Sequence, residues 1–264
     1  MKIYEIIDEE NKLSVGYLLY FEKEKSFVIE LQNYLDEWNA PLLFANTVKA
    51  GKFTIGREFS RLWVNERVIP AGRQNIDLIL ANAQLKEYDE AALLDKSSAR
   101  CSQDSMYINK VDVLPDYIIK RMETNLEECV PCENHSLLCF FNDKTVKKID
   151  LLKLNKTADI TKITSNEKVF KSAHIAAGGY FVTFNDSIDI DAKELYENGD
   201  KIPLSLEDFF AFVKMNVLDS SECCDVLECS RQNLTNYLSK DLLVPLKPDV
   251  KGNLYTKGNV YRLL

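Results

Sequence analysis

The sequence predicts an α+β fold in three parts: an N-terminal hairpin with helices, a small β-rich middle domain, and a C-terminal domain of short helices and a hairpin. Three observations support it. A chain of 264 residues, 46% of them hydrophobic, exceeds the usual size of a single domain. Apolar residues alternate in some stretches and recur every three or four positions in others. The pattern changes near residues 110 and 202, which predicts domains at 1–110, 111–202 and 203–264.

The N-terminal part begins with two predicted strands, KIYEII and LSVGYLLYF, and the polar stretch DEENK between them favours a chain reversal. From Ser26 the apolar spacing predicts a helix that ends at Pro41. The residues expected on its buried side are Phe27, Leu31, Tyr34, Leu35 and Trp38. Similar spacing predicts helices around Trp63, Leu80 and Leu94, so this part is expected to be mostly helical.

The middle part alternates between β-rich runs and polar turns. The stretch ECVPCENHSLLCFFNDKTVKKIDLL has turn signals at Glu133-Asn134 and Asn142-Asp143, which predicts a small sheet. The run GYFVTF predicts another strand, and a short helix from Ala192 would bury Leu195 and Tyr196.

The order of these segments resembles a small bacterial family of unknown function, DUF2442. Along the chain, its members have a strand, an FxDG-like turn, a strand ending in aspartate, a Trp-Pro-Asn-Gly-x-Asp-type segment and a Leu-Tyr pair. The matching segments here are Phe141-Asn142-Asp143-Lys144, Asp150, Phe184-Asn185-Asp186-Ser187-Ile188-Asp189 and Leu195-Tyr196. A phenylalanine replaces the tryptophan, and both turn glycines are absent. The resemblance implies a fold for the middle part and no activity.

The C-terminal part contains SRQNLTNYLSKDLLVP, residues 230–245, which predicts a helix with one polar and one apolar side. Ser230 is the predicted N-cap, and Leu234, Tyr237 and Leu238 fall on one face. The stretch SECCDVLECS predicts a preceding helix, about three residues away, which is helix-turn-helix spacing. Downstream, two extended pieces are separated by a turn at Lys251-Gly252-Asn253.

This arrangement resembles the winged helix-turn-helix of the MerR and excisionase-like superfamily. The resemblance runs without gaps through Ser230-Arg231-Gln232, Leu234, Tyr237, Lys240, Leu242-Leu243 and Pro245. Glu228 and Asp241 stand where many relatives have glycine. Thr235-Asn236 replace an Arg-Tyr pair that relatives use against phosphates, and Asn253-Leu254 replace the wing arginine.

The resemblance implies DNA binding by the exposed side of the second helix, where no carboxylate interrupts side chains that can read base edges or hold phosphates. The expected DNA-binding residues are Arg231, Gln232, Asn233, Thr235, Asn236 and Lys240. MerR-type regulators carry a long dimerising helix after this domain, whereas this sequence stops at Leu264. A C-terminal dimerising coiled coil is therefore not expected, and the oligomeric state stays open.

The charge of the chain keeps a second hypothesis open. Lys and Arg total 33 against 41 Asp and Glu, a net charge of −8, and residues 205–264 contain seven basic and eight acidic residues. DNA-binding domains usually present a basic face, whereas an acidic surface suits a basic protein partner. The alternative to DNA binding is therefore a protein-interaction module, such as an immunity, antitoxin-like or phage-derived inhibitor.

A second basic stretch lies in the N-terminal part. Its cations are Lys49, Lys52, Arg57, Arg61, Arg67 and Arg73, and only Glu58 and Glu66 interrupt them. Arg57 and Arg61 would share a helix face. Two interpretations stay open for this stretch: a surface for nucleic acid or an acidic partner, and a solvated surface with ion pairs. Arg73 also begins a second RQN tripeptide, like the one at Arg231.

The spacing C-x2-C-x2-H-x3-C supplies zinc-type ligands at Cys129, Cys132, His135 and Cys139. Because the same segment is predicted to form two strands around a tight turn, apolar packing is favoured and no metal is expected. A zinc-dependent enzyme stays a third hypothesis.

Other features predict a non-enzymatic protein without a cofactor. The sequence contains no glycine-rich phosphate loop, HExxH, GxSxG or dinucleotide fingerprint. It has no apolar run of signal-peptide or membrane-spanning length, so a soluble protein without membrane contact is expected. Seven cysteines, an odd number, indicate reduced thiols in a cytoplasm.

Overall fold

The computed structural model of the chain describes residues 1–155, 157–204, 206–247 and 252–264. Antiparallel sheets and helices occur together throughout, which confirms the predicted α+β class. The chain divides into two compact units, Met1–Ile119 and Lys120–Leu264. The further division at residue 202 stays a prediction. Within the described residues, no helix is both long enough and apolar enough to cross a membrane.

The first unit is built around one antiparallel sheet with strand order β4-β3-β2-β1-β5. Its strands are β1 (Lys2–Asp8), β2 (Leu13–Phe21), β3 (Ser26–Leu31), β4 (Thr54–Ile55) and β5 (Met106–Val111). The helices are α1 (Leu42–Lys49), α2 (Arg57–Asn65), α3 (Ile76–Asn82), α4 (Glu90–Ser97) and α5 (Asp116–Arg121), the last of which continues across the unit boundary. The opening hairpin and the helices α2, α3 and α4 are as predicted, whereas α1 and β5 were not predicted.

The helix predicted from Ser26 to Pro41 is wrong, because residues 26–31 form the strand β3. This strand pairs with β2, and the ring of Phe27 stacks on that of Tyr20 at 4.6 Å. All five residues from Phe27 to Leu31 are buried, Glu30 among them, so both sides of the strand face the interior, and spacing alone does not separate such a strand from a helix. Trp38 is 87% exposed, so the predicted apolar helix face does not exist.

Helix α2 packs on the sheet through Trp63 and Val64, which are both buried. The hydroxyl group of Ser60 accepts a hydrogen bond from the N–H of Ile29 and donates one to the carbonyl of Ile55, each at 3.0 Å. Both backbone groups are thereby satisfied inside the core, and α2 is tied to β3 and β4.

The second unit contains a sheet of order β12-β8-β7-β6, a sheet of order β11-β10-β9, and the pair β13-β14. Its strands are β6 (Leu126–Cys132), β7 (Ser136–Phe141), β8 (Val146–Asp150), β9 (His174–Ile175), β10 (Phe181–Phe184), β11 (Ile188–Asp191), β12 (Asp200–Lys201), β13 (Val217–Leu218) and β14 (Tyr255–Thr256). The helices are α6 (Ala158–Thr164), α7 (Glu167–Lys171), α8 (Ala192–Asn198), α9 (Leu206–Asn216), α10 (Ser220–Val226), α11 (Arg231–Ser239) and α12 (Lys257–Tyr261).

The segments that resemble DUF2442 lie against each other in this unit. The Tyr196 hydroxyl group donates to Oδ2 of Asp143 at 2.6 Å, and the ring of Tyr196 meets the ring of Phe141 edge-on. Burial alone would raise the pKa of Asp143, but hydrogen bonds from Tyr196 and Thr145 outweigh it and lower that pKa. The predicted turns at Glu133-Asn134 and Asn142-Asp143 are confirmed, since each joins neighbouring strands of the first sheet.

The C-terminal elements are packed on the sheet of β6, β7 and β8. The rings of Phe212 on α9 and Phe140 on β7 are 5.0 Å apart, and Lys148 on β8 pairs with Asp208 at 3.3 Å. Helix α12 contacts β6. The second compact unit therefore includes both the middle part and the C-terminal part of the sequence.

Candidate nucleic-acid interface

The first helix of the candidate site, α10, is fixed by a capping box. The carboxylate of Asp219 accepts from the N–H groups of Ser221 and Glu222 at 2.7 and 2.9 Å, and the Glu222 carboxylate accepts from the N–H of Asp219 at 2.8 Å. Cys223 on this helix is fully buried. The reciprocal bonds satisfy N–H groups that a helix start leaves without partners, so the start of α10 is well defined.

Helix α10 ends in a Schellman motif, which fixes the turn to the next helix. The N–H of Cys229 donates to the carbonyl of Cys224 at 3.0 Å, and the N–H of Glu228 donates to that of Asp225 at 3.3 Å. Glu228 has a left-handed backbone with φ of 48°. This is a position where the resemblance predicts glycine, the residue that takes this conformation at least cost.

Helix α11 has the two-sided character that the sequence predicts. The Ser230 hydroxyl group accepts from the N–H of Asn233 at 3.3 Å, as an N-cap does. Leu234 is buried, and Tyr237 and Leu238 are partly buried against the same core. The opposite side is exposed, and the exposed side chains are those of Arg231, Gln232, Asn233, Thr235 and Asn236. Lys240, the C-cap residue, is exposed as well.

A second Schellman motif ends α11 and shapes a groove. The N–H of Leu242 donates to the carbonyl of Tyr237 at 3.0 Å, and Asp241 is left-handed with φ of 53°. This turn brings the Leu242 side chain beside α11. The resulting surface groove has a volume of about 250 Å³ and is lined by Asn233, Asn236, Tyr237, Lys240 and Leu242. Three of the six predicted DNA-binding residues therefore line one concave surface.

One small core holds α10, α11 and the chain after them together. Its buried members are Cys223, Leu227, Leu234, Leu243, Tyr255 and Val260. The pair β13-β14 brings residues 255–256 beside residues 217–218, and Lys247 bridges Leu254. The predicted wing turn lies partly outside the described residues, because Lys251 does.

The segment after α11 exposes an apolar strip. Leu242, Val244 and Leu246 are 52%, 62% and 54% exposed, and Leu243 between them is buried in the core. The three exposed side chains lie within five consecutive residues, and together they are called the apolar strip. Among the described residues that follow Leu242 in this segment, Lys247 is the exposed basic residue.

The predicted second basic surface is only partly a surface. Lys49 pairs with Glu37 at 2.6 Å, and Arg61 pairs with Glu90 at 3.5 Å. Lys52 and Arg73 are exposed, and Arg57 is partly buried. These ion pairs neutralise part of the local positive charge, which supports the interpretation as a solvated surface.

The prediction that Arg67 belongs to the second basic surface is wrong, because its side chain is fully buried. Its guanidinium group lies 3.9 Å from the centre of the Trp63 ring and donates to the Trp63 carbonyl at 3.0 Å. It also pairs with Asp104 and with Glu66. The Arg67 guanidinium group is therefore engaged inside the first unit and is not available to a bound ligand.

The four candidate zinc ligands do not form a ligand set. Cys129 and Cys139 are buried directly opposite each other on β6 and β7, with their sulfur atoms 3.7 Å apart. The ring of His135 packs on that of Phe170 at 5.3 Å. Across the described part of the chain, no group of three or more His, Cys, Asp or Glu side chains is placed to hold a metal ion.

Sequence reasoning missed Glu128, a buried carboxylate on β6 that binds the start of α12. Its Oε1 atom accepts from the N–H of Gly258, and the side chain of Thr256 also bonds to it. Burial raises the pKa of Glu128 from 4.5 to about 7, although these bonds and Arg262 lower it. No local pattern reveals this contact, because its partners lie about 130 residues away.

The approach of α12 to β6 depends on a glycine and leaves little space. A side chain at Gly258 would overlap the Glu128 carboxylate and the Glu127 carbonyl. The cavity beside this contact has a volume of about 10 Å³, enough for roughly one water molecule. Its lining includes Glu128, His174 and Lys257. It is thus a packing gap rather than a ligand pocket.

Comparison of the chain with protein families, with curated proteins and with solved structures finds no match. The resemblances to DUF2442 and to the MerR and excisionase-like superfamily stay predictions that rest on the residues quoted for them.

Proposed function

We propose that this protein binds double-stranded DNA through the exposed side of α11. One observation carries the proposal: an N-capped helix, anchored by Leu234, presents only polar and basic side chains beside an open groove. Asparagine and glutamine pair with adenine edges, and arginine pairs with guanine edges or phosphates. The helix-turn-helix motif places its second helix in the major groove of DNA, and α11 is the second helix here.

The proposal gives Arg231, Gln232, Asn233 and Asn236 the role of contacting bases, and Lys240 that of contacting phosphate. It assigns no catalytic residue and no cofactor, and it gives the remaining domains a role in sensing or recruiting a partner. It places the protein in the cytoplasm, which is supported by the seven cysteines, all present as free thiols.

The test is selection from a pool of random duplex DNA at low salt, followed by fluorescence anisotropy on the selected duplex. We expect Arg231→Ala to weaken binding about tenfold, since one good base or phosphate contact contributes on the order of 1–3 kcal/mol. Lys168→Ala is the charge-matched control, because Lys168 is exposed on α7 and is not one of the predicted DNA-binding residues. Selection that enriches no duplex, or equal losses in the two variants, would refute the proposal.

A second candidate function, binding of a protein partner, is favoured by the apolar strip of Leu242, Val244 and Leu246. Apolar side chains at the centre of an interface are typical of protein partners, whereas phosphate binding needs cations. The test is affinity purification with native chain and with Val244→Glu as bait. A partner that is retained by the native chain and lost with Val244→Glu supports this function, and identical recovery on both baits contradicts it.

A further inference from the structure

Two half-buried cysteines flank the turn between α10 and α11. Cys224 lies in the last turn of α10, and Cys229 is the second residue after its C-cap. These are the two positions whose side chains commonly contact each other in a Schellman motif. Here both carry thiols, and the backbone N–H of Cys229 donates to the carbonyl of Cys224 at 3.0 Å.

The position of this pair separates it from the other cysteines. Cys223 is fully buried in the core of the helix-turn-helix, and Cys129 and Cys139 are buried between β6 and β7. Cys224 and Cys229 are each partly exposed, so a small oxidant can reach them. Cys229 also directly precedes Ser230, the residue that caps α11. A bond at this pair would therefore act on the start of the candidate DNA-reading helix.

We propose that Cys224 and Cys229 form a reversible disulfide that regulates the helix-turn-helix. The oxidant is a low-molecular-weight disulfide. The thiolate of one cysteine attacks it and releases one small thiol, and the thiolate of the other then attacks the mixed disulfide and releases the second. The protein loses two protons and two electrons, and the small disulfide is reduced to two thiols.

The reaction is expected to be slow at neutral pH. Burial raises the pKa of Cys224, the nearby Cys229 raises it further, and Arg231 lowers it. Because the thiolate is the reactive form, exchange runs faster in mildly alkaline buffer.

The structural consequence follows from bond length. A disulfide holds two sulfur atoms about 2 Å apart, closer than the sulfur atoms of two free thiols can approach. Oxidation therefore draws Cys229 toward α10 and moves the cap of α11, together with Arg231 and Gln232. The disulfide itself is independent of DNA binding, whereas its regulatory effect rests on the proposed function.

The first experiment maps the disulfide in the full chain. The chain is equilibrated at about pH 8 with mixtures of oxidised and reduced glutathione, its free thiols are blocked, and it is cut after Glu228 by a glutamyl endopeptidase. We expect fragments carrying Cys224 and Cys229 to be joined, and to separate on reduction. Cys223→Ala is the matched control and should leave the link intact. Free thiols at both positions, or a link to another cysteine, would overturn the proposal.

The second experiment measures the effect of oxidation without DNA. Amide hydrogen exchange at Cys229 should slow about fivefold or more, because the disulfide holds its bond to the Cys224 carbonyl closed. The Cys229→Ser chain, treated with the same oxidant, should show no change at this position. Unchanged exchange in a chain whose disulfide has been mapped would show that the bond does not restrain the turn.

The third experiment connects the disulfide to DNA. With the selected duplex, the oxidised chain should bind about fivefold more weakly than the reduced chain, and Cys229→Ser should not respond to oxidant. Equal affinities of oxidised and reduced chain refute regulation while leaving DNA binding intact. A chain that binds no duplex in either state refutes the proposed function, and the first two experiments still decide the disulfide.

Discussion

Residues other than glycine carry left-handed backbone at the ends of several helices. Gln84, Ser98, Glu228 and Asp241 all have φ between 48° and 56°, each just after a helix. A side chain in this conformation costs about 1–2 kcal/mol, and less for aspartate, which tolerates it better. Two of these residues, Glu228 and Asp241, are acidic and stand at the turns before and after α11.

We predict that Glu228→Gly stabilises the second unit by about 1 kcal/mol and Asp241→Gly by about 0.5 kcal/mol, because glycine removes the left-handed penalty. Urea denaturation of the full chain measures both changes. Asp225→Gly is the control, since Asp225 is exposed within α10 and glycine there should destabilise by roughly 0.5–1 kcal/mol. Destabilisation by Glu228→Gly as well would contradict the assigned backbone conformation.

Glu128 is a second residue whose environment makes a measurable prediction. Its folded pKa of about 7 lies above its ordinary value of 4.5, so the folded chain binds this proton more tightly than the unfolded chain. Its contribution to stability is therefore fully present below about pH 4.5 and is lost as pH rises to about 7. The loss is on the order of 3 kcal/mol.

The variant Glu128→Gln keeps an acceptor for the N–H of Gly258 and cannot ionise. We expect the difference in unfolding free energy between Glu128→Gln and the native chain to grow by about 2–3 kcal/mol as the pH rises from 5 to 8. Denaturation at each pH measures this difference. Glu127→Gln is the matched control, because Glu127 is more exposed and pairs with Lys144. Parallel pH profiles for native chain and Glu128→Gln would show that this carboxylate does not titrate in that range.

At the scale of elements, prediction worked where the local signal was complete. The hairpin β1-β2, the strands β6 to β8, and helices α8 and α11 have strong alternation or spacing together with clear turn or cap residues. Prediction failed at β3 because both sides of this strand are buried. A fully buried strand lacks the alternation of apolar and polar residues that identifies strands. Several helix ends were also hard to see, since the chain lacks glycine at the turns that end them.

In the helix-turn-helix, too, local features were predicted from the sequence and a feature that depends on folding was not. Ser230 as N-cap and Leu234 as the buried anchor are confirmed, and both follow from local sequence. The groove beside α11 was not predicted, because it depends on how the turn at Asp241 folds Leu242 back onto Tyr237. Whether the exposed side chains of α11 contact DNA stays a prediction.

At the scale of the whole molecule, charge limits how DNA could be bound. The net charge of −8 opposes nonspecific attraction to a polyanion, and between Arg231 and Lys247, where the structure describes every residue, the exposed cations are Arg231, Lys240 and Lys247. Affinity must then come mainly from contacts with base edges rather than from phosphates.

This predicts a weak salt dependence. With Lys240 and Lys247 as the phosphate contacts, the logarithm of the binding constant should fall against the logarithm of salt concentration with a slope of about −2. Anisotropy titrations from low to physiological salt measure it. A slope steeper than about −6 would mean that another basic surface contributes. In that case, Lys52→Ala and Arg73→Ala would reduce the slope.

The sequence by itself determined the α+β class, the order of most elements, and the two-sided nature of α11, because each depends on residues within a few positions of one another. The tertiary structure alone decided that residues 26–31 form a strand, that Arg67 is buried, and that Glu128 binds the start of α12. In each case the deciding partner is distant in the chain: β2 for the strand, Asp104 for the arginine and Gly258 for the glutamate. Pairing, burial and desolvation act between such distant groups, and local patterns carry no record of them.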